Sequence, residues 1–310
     1  MLNTAGGMQG IDLVCKLFVD PGDLVAVEAP TYTNGSETIA SYEGTVLEVP
    51  VDEDGMQVEV LAARVAEAGV APKLVYTIPT FQNPSGTTMS LERRMRLLEL
   101  VEGWGSVLLE DDPYRMLRFA GDPVPSLVEL SGHAPWVIGV HTFSKIVAAG
   151  LRIGWVVAHP SILERMIAAK QCMDTCTNRL AQRLTEVFLT EGHMRDHLIR
   201  LRTIYRERKE AMQQALGEAF AGTGTRWTDP DGGFFLWVTF PEHVDTTARF
   251  PEALQQGVAY IPGSAFGVAN RFESSVRLCF ASTTPERTRE GIERLRRTIA
   301  LSDGITVPTR

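Results

Sequence analysis

The chain has 310 residues, of which 44% are hydrophobic, and its formal net charge at pH 7 is −8. At about 150 residues per domain, this length predicts one large domain or two moderate ones, with enough apolar residues for a sizeable core. The acidic balance disfavours nucleic acid and anionic membranes as partners, and no apolar run approaches the roughly 18 residues of a membrane span.

The first two thirds of the chain alternate between helical and strand patterns. Helices are predicted at 11–18, 36–42, 58–68 and 91–104, the last with Ser90 as its N-cap. Strands are predicted at 24–27, 45–51, 73–78, 107–110, 137–141 and 153–158. Such alternation implies right-handed crossovers and an α/β fold, with a mostly parallel sheet covered by helices on both faces. Ligands of such sheets bind at the carboxyl ends of the strands.

The pattern changes after Pro160. Two long helices are predicted at 162–189 and 194–220. They are followed by a strand at 232–240, a helix at 248–256, strands at 258–261 and 275–280, and a helix at 285–300. We therefore expect a large domain at 1–190 and a smaller C-terminal α+β domain at 191–310.

The four cysteines do not form a disulfide framework. Cys15 and Cys279 lie in apolar contexts and are interpreted as core residues. Cys172 and Cys176 are four apart in a helical pattern, but no histidine or further cysteine lies near them, so no metal site is expected. Residues 1–10 lack a basic region followed by an apolar stretch, so we expect no signal peptide and a cytoplasmic location.

One loop between two predicted strands combines two hydroxyls, a lysine and an arginine: Thr142, Ser144, Lys145 and Arg152. Viewed alone, Lys145 is equally well explained as a solvated loop lysine. Pyridoxal phosphate (PLP), however, needs a partly desolvated lysine amine and a cup of hydroxyls and cations for its phosphate. This loop is a candidate for both.

Two further segments suit the same cofactor. The turn Gly6-Gly7-Met8 runs directly into the first helix, whose free N–H groups can hold a phosphate, although an ordinary loop explains it as well. Asp111 or Asp112, after a strand, can pair with a protonated pyridine nitrogen. Adjacent carboxylates can also hold magnesium, but no Walker A lysine motif accompanies these.

Asn83 and Tyr32 each allow a structural and a functional interpretation. Asn83 precedes a proline in a tight loop, where it can serve the turn or donate its amide to a ligand oxygen. Tyr32 follows a strand, where it can stack on a flat ring or simply pack.

Together, the order and spacing of these segments resemble the fold-type I PLP enzymes, namely the class I/II aminotransferases. The resemblance is closest to the subgroup of 2-aminoadipate and kynurenine aminotransferases and covers nearly the whole chain. It is carried by the Gly6-Gly7 turn and by PTY at 30–32, FQNPSG at 81–86, EDDPY at 110–114, FSK at 143–145, GLRIG at 150–154, PGSAFG at 262–267 and VRLCFA at 276–281.

The resemblance implies a role for each candidate residue. Lys145 would be the Schiff-base lysine and proton shuttle, and Asp111, three residues before Tyr114, the partner of the pyridine nitrogen. Tyr32 would stack on the ring, and Asn83 and Tyr114 would hold its phenolic oxygen. Arg277 would bind the substrate carboxylate, with Asn83 beside it. The phosphate cup would comprise Gly6, Gly7, Met8, Thr142, Ser144 and Arg152.

Two departures from the family pattern are expected to matter. Relatives usually place a serine or threonine and a glutamine where this chain has Gly7 and Met8, so cofactor affinity is expected to be about tenfold lower. Family members also carry a longer N-terminal stretch, which includes part of the small domain. We expect that part to be absent here, and PLP binding to survive better than turnover.

The leading interpretation is a PLP-dependent aminotransferase that moves an amino group between an α-amino acid and a 2-oxo acid, with 2-oxoglutarate as the expected acceptor. A homodimer is expected by the same resemblance. Two alternatives stay open: another PLP reaction, such as β-elimination or decarboxylation, and the aminotransferase-like effector domain of a transcription regulator.

Overall fold

The structure, a computed structural model, describes residues 1–267 and 271–300. Its strands are β1 (Leu2–Thr4), β2 (Leu24–Ala29), β3 (Thr45–Asp52), β4 (Gly55–Met56), β5 (Leu74–Thr77), β6 (Val107–Asp111), β7 (Val137–Thr142), β8 (Gly154–Val157), β9 (Arg226–Trp227), β10 (Phe235–Thr239), β11 (Ile261–Pro262) and β12 (Ser275–Cys279). Its α-helices are α1 (Gly7–Phe18), α2 (Thr33–Ser41), α3 (Val58–Ala68), α4 (Leu91–Trp104), α5 (Leu127–Leu130), α6 (Pro160–Asp174), α7 (Arg179–Thr190), α8 (His193–Phe220), α9 (Thr246–Gln255) and α10 (Pro285–Ala300).

Eight strands form a sheet in the order β1-β8-β7-β6-β5-β2-β3-β4. The run from β7 to β3 is parallel, whereas β1, β8 and β4 pair in antiparallel fashion. Alternate strand residues face opposite sides, so Val25 packs under α1, α2 and α6 while Ala26 packs under α3, α4 and α5. The predicted α/β class, with a mostly parallel sheet and helices on both faces, is confirmed.

A second, antiparallel sheet has the order β11-β12-β10-β9. Its core is shared with α8 and α10 and includes Leu216, Val238, Leu278 and Leu295. This is the predicted smaller α+β unit. The boundary at residue 190 stays a prediction, and residues 268–270 and 301–310 of the predicted domain lie outside the described residues.

The predicted helix at 162–189 is wrong, because α6 ends at Asp174 and α7 begins at Arg179. Between them Thr175 has φ 60° and ψ −53°, and the Cys176 N–H donates to the Asp174 carbonyl at 2.5 Å. This is a γ-turn of the strained kind, which reverses the chain without glycine or proline.

One predicted strand is shorter in the structure, and the short strands β1, β4 and β9 were not predicted. The strand predicted at 258–261 is reduced to β11, which begins at Ile261. The three-residue β1 was not predicted, because so short a segment carries no alternating pattern; it adds to β8 at the sheet edge. Within the described ranges, no helix is long and apolar enough to cross a membrane.

Candidate active site

The carboxyl ends of four neighbouring strands meet at one edge of the large sheet. Tyr32 follows β2, Asn83 follows β5, Asp111 ends β6, and Lys145 follows β7. Because the strands are parallel, segments far apart in sequence converge at this edge.

The residues predicted to form a phosphate cup lie together where α1 begins. Arg152 Nη1 donates to Ser144 Oγ at 3.1 Å, and its Nη2 donates to the Ala5 carbonyl at 3.3 Å. Thr142 Oγ1 donates to Ser144 Oγ at 2.9 Å. A guanidinium, two hydroxyls and the free N–H groups of a helix N-terminus therefore surround one place, which suits a phosphate dianion.

Glycine is required at position 6 of this cup. Gly6 has φ 84°, and a Cβ there would lie 2.4 Å from Arg152 Nη2. Met8 packs its side chain against the core beneath, so it can offer only its backbone N–H to a ligand. The geometry fits a phosphate held largely by backbone groups and Arg152.

Asp111 is 6% exposed and accepts a hydrogen bond from the Tyr76 hydroxyl at 3.0 Å. Burial raises its pKa to about 7, while the hydrogen bond from Tyr76 and the charge of Lys145 act in the opposite direction. The neighbouring Asp112 instead lies against Arg115, with Oδ2 3.2 Å from Nε. Of the two carboxylates, Asp111 is the one placed near Lys145, where it can hold a proton on a cofactor ring nitrogen.

Lys145 is partly buried, and its Nζ lies 5.9 Å from the centroid of the Phe234 ring. Burial lowers the pKa of its amine; Arg277 and Arg152 lower it further, while Cys279 and Asp111 oppose the shift. A desolvated amine with a lowered pKa is more often unprotonated, which a nucleophile or general base requires.

Arg277 lies on β12 of the small sheet, and its side chain reaches the loop that follows β5 of the large sheet. Its Nη1 donates to Asn83 Oδ1 at 2.9 Å, and its guanidinium carbon lies 4.3 Å from the Phe235 ring centroid and 5.1 Å from that of Phe266. Its buried Nε has no hydrogen-bond partner among the described residues. A desolvated guanidinium with unused donors suits a carboxylate ligand.

Because Asn83 accepts from Arg277 through Oδ1, its Nδ2 group is the end left to donate to a ligand oxygen. Tyr114 packs against Phe234 at 5.4 Å between ring centroids. Burial raises the pKa of Tyr114 and of the half-buried Tyr32, and nearby Asp111 adds to both shifts. Both phenols therefore keep their protons and can act as donors.

Sequence reasoning assigned no role to Tyr76, Glu28 or Gln82, although all three are buried beside the site. For Glu28 the readable signal was a charged side chain within a strand that is otherwise apolar. Cys279, interpreted as core, is half-buried and lies on the same face of β12 as Arg277. Among the described residues, no group of three or more histidine, cysteine or acidic side chains is arranged to hold a metal.

The profile of the family "Aminotransferase class I and II" matches residues 2–295. Aromatic-amino-acid aminotransferase 1 of Thermococcus litoralis is 40% identical over 302 residues, which is 96% of this chain and 72% of that protein.

Two solved structures superpose closely. Kynurenine aminotransferase of Pyrococcus horikoshii, in complex with PMP, gives a TM-score of 0.93 at 40% identity, over 97% of this chain and 75% of that one. LysN, an α-aminoadipate aminotransferase of Thermus thermophilus complexed with N-(5'-phosphopyridoxyl)-L-leucine, gives 0.91 at 37% identity, over 96% of this chain and 76% of that one.

The chain is also similar, at lower identity, to a transcriptional regulator. The uncharacterised HTH-type transcriptional regulator YisV of Bacillus subtilis is 29% identical over 293 residues, which is 94% of this chain and 59% of the regulator.

Proposed function

The chain belongs to the class I and II aminotransferases and uses PLP as its cofactor, and from this premise we propose that it transfers amino groups from an α-amino acid to 2-oxoglutarate through Lys145. The observation that carries the proposal is the position of Lys145, a partly desolvated amine close to both Asp111 and Arg277. The cup at Arg152 would hold the phosphate.

Bound PLP supplies an electron sink for negative charge at the substrate α-carbon. Arg277 binds the substrate carboxylate and so orients the bond that breaks. Lys145 Nζ would hold the cofactor and would move the proton at the substrate α-carbon. Asp111 would hold a proton on the ring nitrogen, Tyr32 would cover the ring, and Asn83 and Tyr114 would donate to the phenolic oxygen.

We further propose an aromatic amino donor. The related Thermococcus enzyme is named for aromatic amino acids and the Pyrococcus enzyme for kynurenine. In this chain Phe234 packs edge-on against Tyr205 at 5.2 Å and lies beside Lys145, which provides an aromatic wall near the reacting amine.

The active unit proposed is a homodimer in the cytoplasm. Helix α7 exposes Leu180 and Leu184, which are 70% and 52% accessible and lie one turn apart on the same face. A second copy would cover this face.

The proposed cytoplasmic location is consistent with the cysteines, because the exposed free thiols of Cys172 and Cys176 suit a reducing compartment.

Borohydride trapping tests the assignment of Lys145. Reduction of the PLP-loaded protein, followed by peptide mapping, should place the cofactor on Lys145, and Lys145→Ala should abolish the label. The control is Lys73→Ala, an exposed lysine at the opposite end of β5, which should be labelled like wild type. Label on another lysine would contradict the proposal.

Product analysis tests the reaction. Incubation with an aromatic amino acid and 2-oxoglutarate should form glutamate and the matching 2-oxo acid. Release of ammonia or carbon dioxide instead would favour β-elimination or decarboxylation. Cofactor binding without any turnover would favour the effector-domain alternative, to which the likeness to YisV gives support.

A further inference from the structure

A buried glutamine links the two loops that carry Tyr32 and Asn83. Gln82 is 1% exposed, and its Nε2 donates to the Pro30 carbonyl at 2.7 Å and to Glu28 Oε2 at 3.0 Å. Its Oε1 accepts from the Ser85 N–H at 2.8 Å and from Ser85 Oγ at 2.7 Å. Both donors and both acceptor sites of the amide are therefore used.

The two ends of this amide reach different loops. Pro30 lies two residues before Tyr32, and Ser85 lies two residues after Asn83. The Gln82 backbone closes the second loop as well, since its N–H donates to the Thr87 carbonyl at 2.9 Å. The side chain thus sets the distance between the loop of the ring-stacking tyrosine and the loop of the amide donor.

Glu28, on β2, accepts the hydrogen bond from Gln82 and fixes it to the sheet. It is 1% exposed and also accepts from Thr77 Oγ1 at 2.6 Å and from the Ile78 N–H at 3.2 Å. Those two donors belong to β5 and its end, so Glu28 is fixed to the sheet. Burial raises the pKa of Glu28, whereas its three donors lower it.

Backbone strain next to Gln82 shows that this loop is held against its local preference. Phe81 has φ 52°, a left-handed conformation that is unfavourable for a bulky residue. Such residues persist only where the surrounding contacts determine them, and they cluster at functional sites. The hydrogen bonds of Gln82 are among those contacts.

We propose that Gln82, anchored by Glu28, is a positioning residue that fixes the spacing between Tyr32 and Asn83 and so shapes the site for the cofactor ring. The inference rests on the proposed function, because it takes Tyr32 and Asn83 as cofactor contacts. Neither Gln82 nor Glu28 touches the reacting atoms; they act through the two loops.

The test measures cofactor binding rather than turnover. Gln82→Met keeps the volume and removes all four side-chain hydrogen bonds; it should weaken PLP binding at least about tenfold in an absorbance titration. The circular dichroism band of the bound cofactor should shrink as well. If this variant does not fold, Ser85→Ala, which removes one donor to Gln82, should weaken binding by about threefold.

Glu28 variants separate positioning from general stability. Glu28→Gln keeps an acceptor for Gln82 and should bind PLP within about threefold of wild type, whereas Glu28→Met should resemble Gln82→Met. Gln82 and Glu28 belong to one hydrogen-bonded network. The loss of PLP affinity in the double Met variant should therefore be well below the sum of the losses in the two single variants.

Ser106→Ala is the matched control for lost stability. Ser106 is a buried hydroxyl that donates to the Pro72 carbonyl at the far end of the sheet. Its loss should lower the unfolding temperature of the cofactor-free protein and leave PLP affinity unchanged.

The inference is overturned if Gln82→Met binds PLP like wild type, if its loss of affinity is matched by Ser106→Ala, or if the Met effects add fully. Those results would leave the proposed function standing, provided that wild type is labelled at Lys145. A wild type that takes up no PLP would overturn both.

Discussion

At the scale of single residues, Asp111 combines deep burial with a neutral hydrogen-bond partner. The phenol of Tyr76 donates to it, and burial raises the pKa of the carboxyl group to about 7. Holding a charged carboxylate there is costly until a cation arrives. The site is therefore prepared for a protonated ring nitrogen at the expense of the stability of the cofactor-free protein.

This has a measurable pH dependence. Between the unfolded pKa near 3.8 and the folded pKa of about 7, the folded chain binds more protons than the unfolded chain, so the contribution of Asp111 to stability falls as pH rises. Asp111→Asn carries no charge and should be more stable than wild type at pH 8 by up to a few kcal/mol. The advantage should disappear near pH 4.

Urea unfolding of the two cofactor-free proteins across this pH range measures the difference. Glu129→Gln is a control of opposite sign, because backbone and Arg115 contacts lower the pKa of Glu129 to about 2. It should lose stability relative to wild type at pH 8. A pH-independent difference between Asp111→Asn and wild type would contradict the assigned protonation.

Motif order singled out Asp111 as a candidate site residue but did not identify Tyr76 as its hydrogen-bond partner, and the reason is physical. Motif order identifies a residue along the chain, but a hydrogen bond between neighbouring strands depends on their register. Tyr76 pairs with Leu109 in the sheet, which places it diagonally opposite Asp111 on the same face. No pattern within β5 alone reveals that pairing.

At the scale of elements, most boundaries were predictable because apolar spacing and caps agree. Helix α4 begins after Ser90, whose Oγ accepts from the Arg93 N–H, as the sequence predicted. The break between α6 and α7 was not predictable from glycine or proline, since residues 161–191 contain neither. It depends on a γ-turn at Thr175 and on Asn178, whose Oδ1 accepts from the Ala181 N–H.

Thr175 therefore sits in a conformation that a β-branched residue adopts at a cost. Thr175→Gly should raise the free energy of unfolding by about 1 kcal/mol, because glycine tolerates positive φ. Thr203→Gly, within the regular helix α8, should lower it by roughly 0.5 kcal/mol. Thermal denaturation of both variants measures the contrast, and two shifts of the same sign would contradict the γ-turn.

At the scale of the whole molecule, the candidate site lies between two hydrophobic cores. Asn83 lies in the loop after β5 of the large sheet and Arg277 lies on β12 of the small one, and their hydrogen bond spans 194 residues of sequence. The alternation of elements predicted both units. It gave no information on how the small sheet approaches the large one, because that packing depends on contacts with no sequence signature.

The proposed dimer makes a prediction at this scale. Leu184→Glu should place a charge in the apolar face of α7 and shift the protein from dimer to monomer in light scattering. Val70→Glu is the control, since Val70 is 57% exposed near the end of α3 and should leave the mass unchanged. A monomeric wild type, or an unaltered mass for Leu184→Glu, would contradict the proposed interface.

The chain order of the site also has a consequence for synthesis on the ribosome. Every group proposed to hold the cofactor lies between Gly6 and Arg152, whereas Arg277 comes much later. Domains generally fold as units from the N-terminus during translation. A nascent chain would thus complete its cofactor cup before Arg277, the proposed partner of the substrate carboxylate, has been made, and uptake of the vitamin-derived group would precede the first encounter with an amino acid.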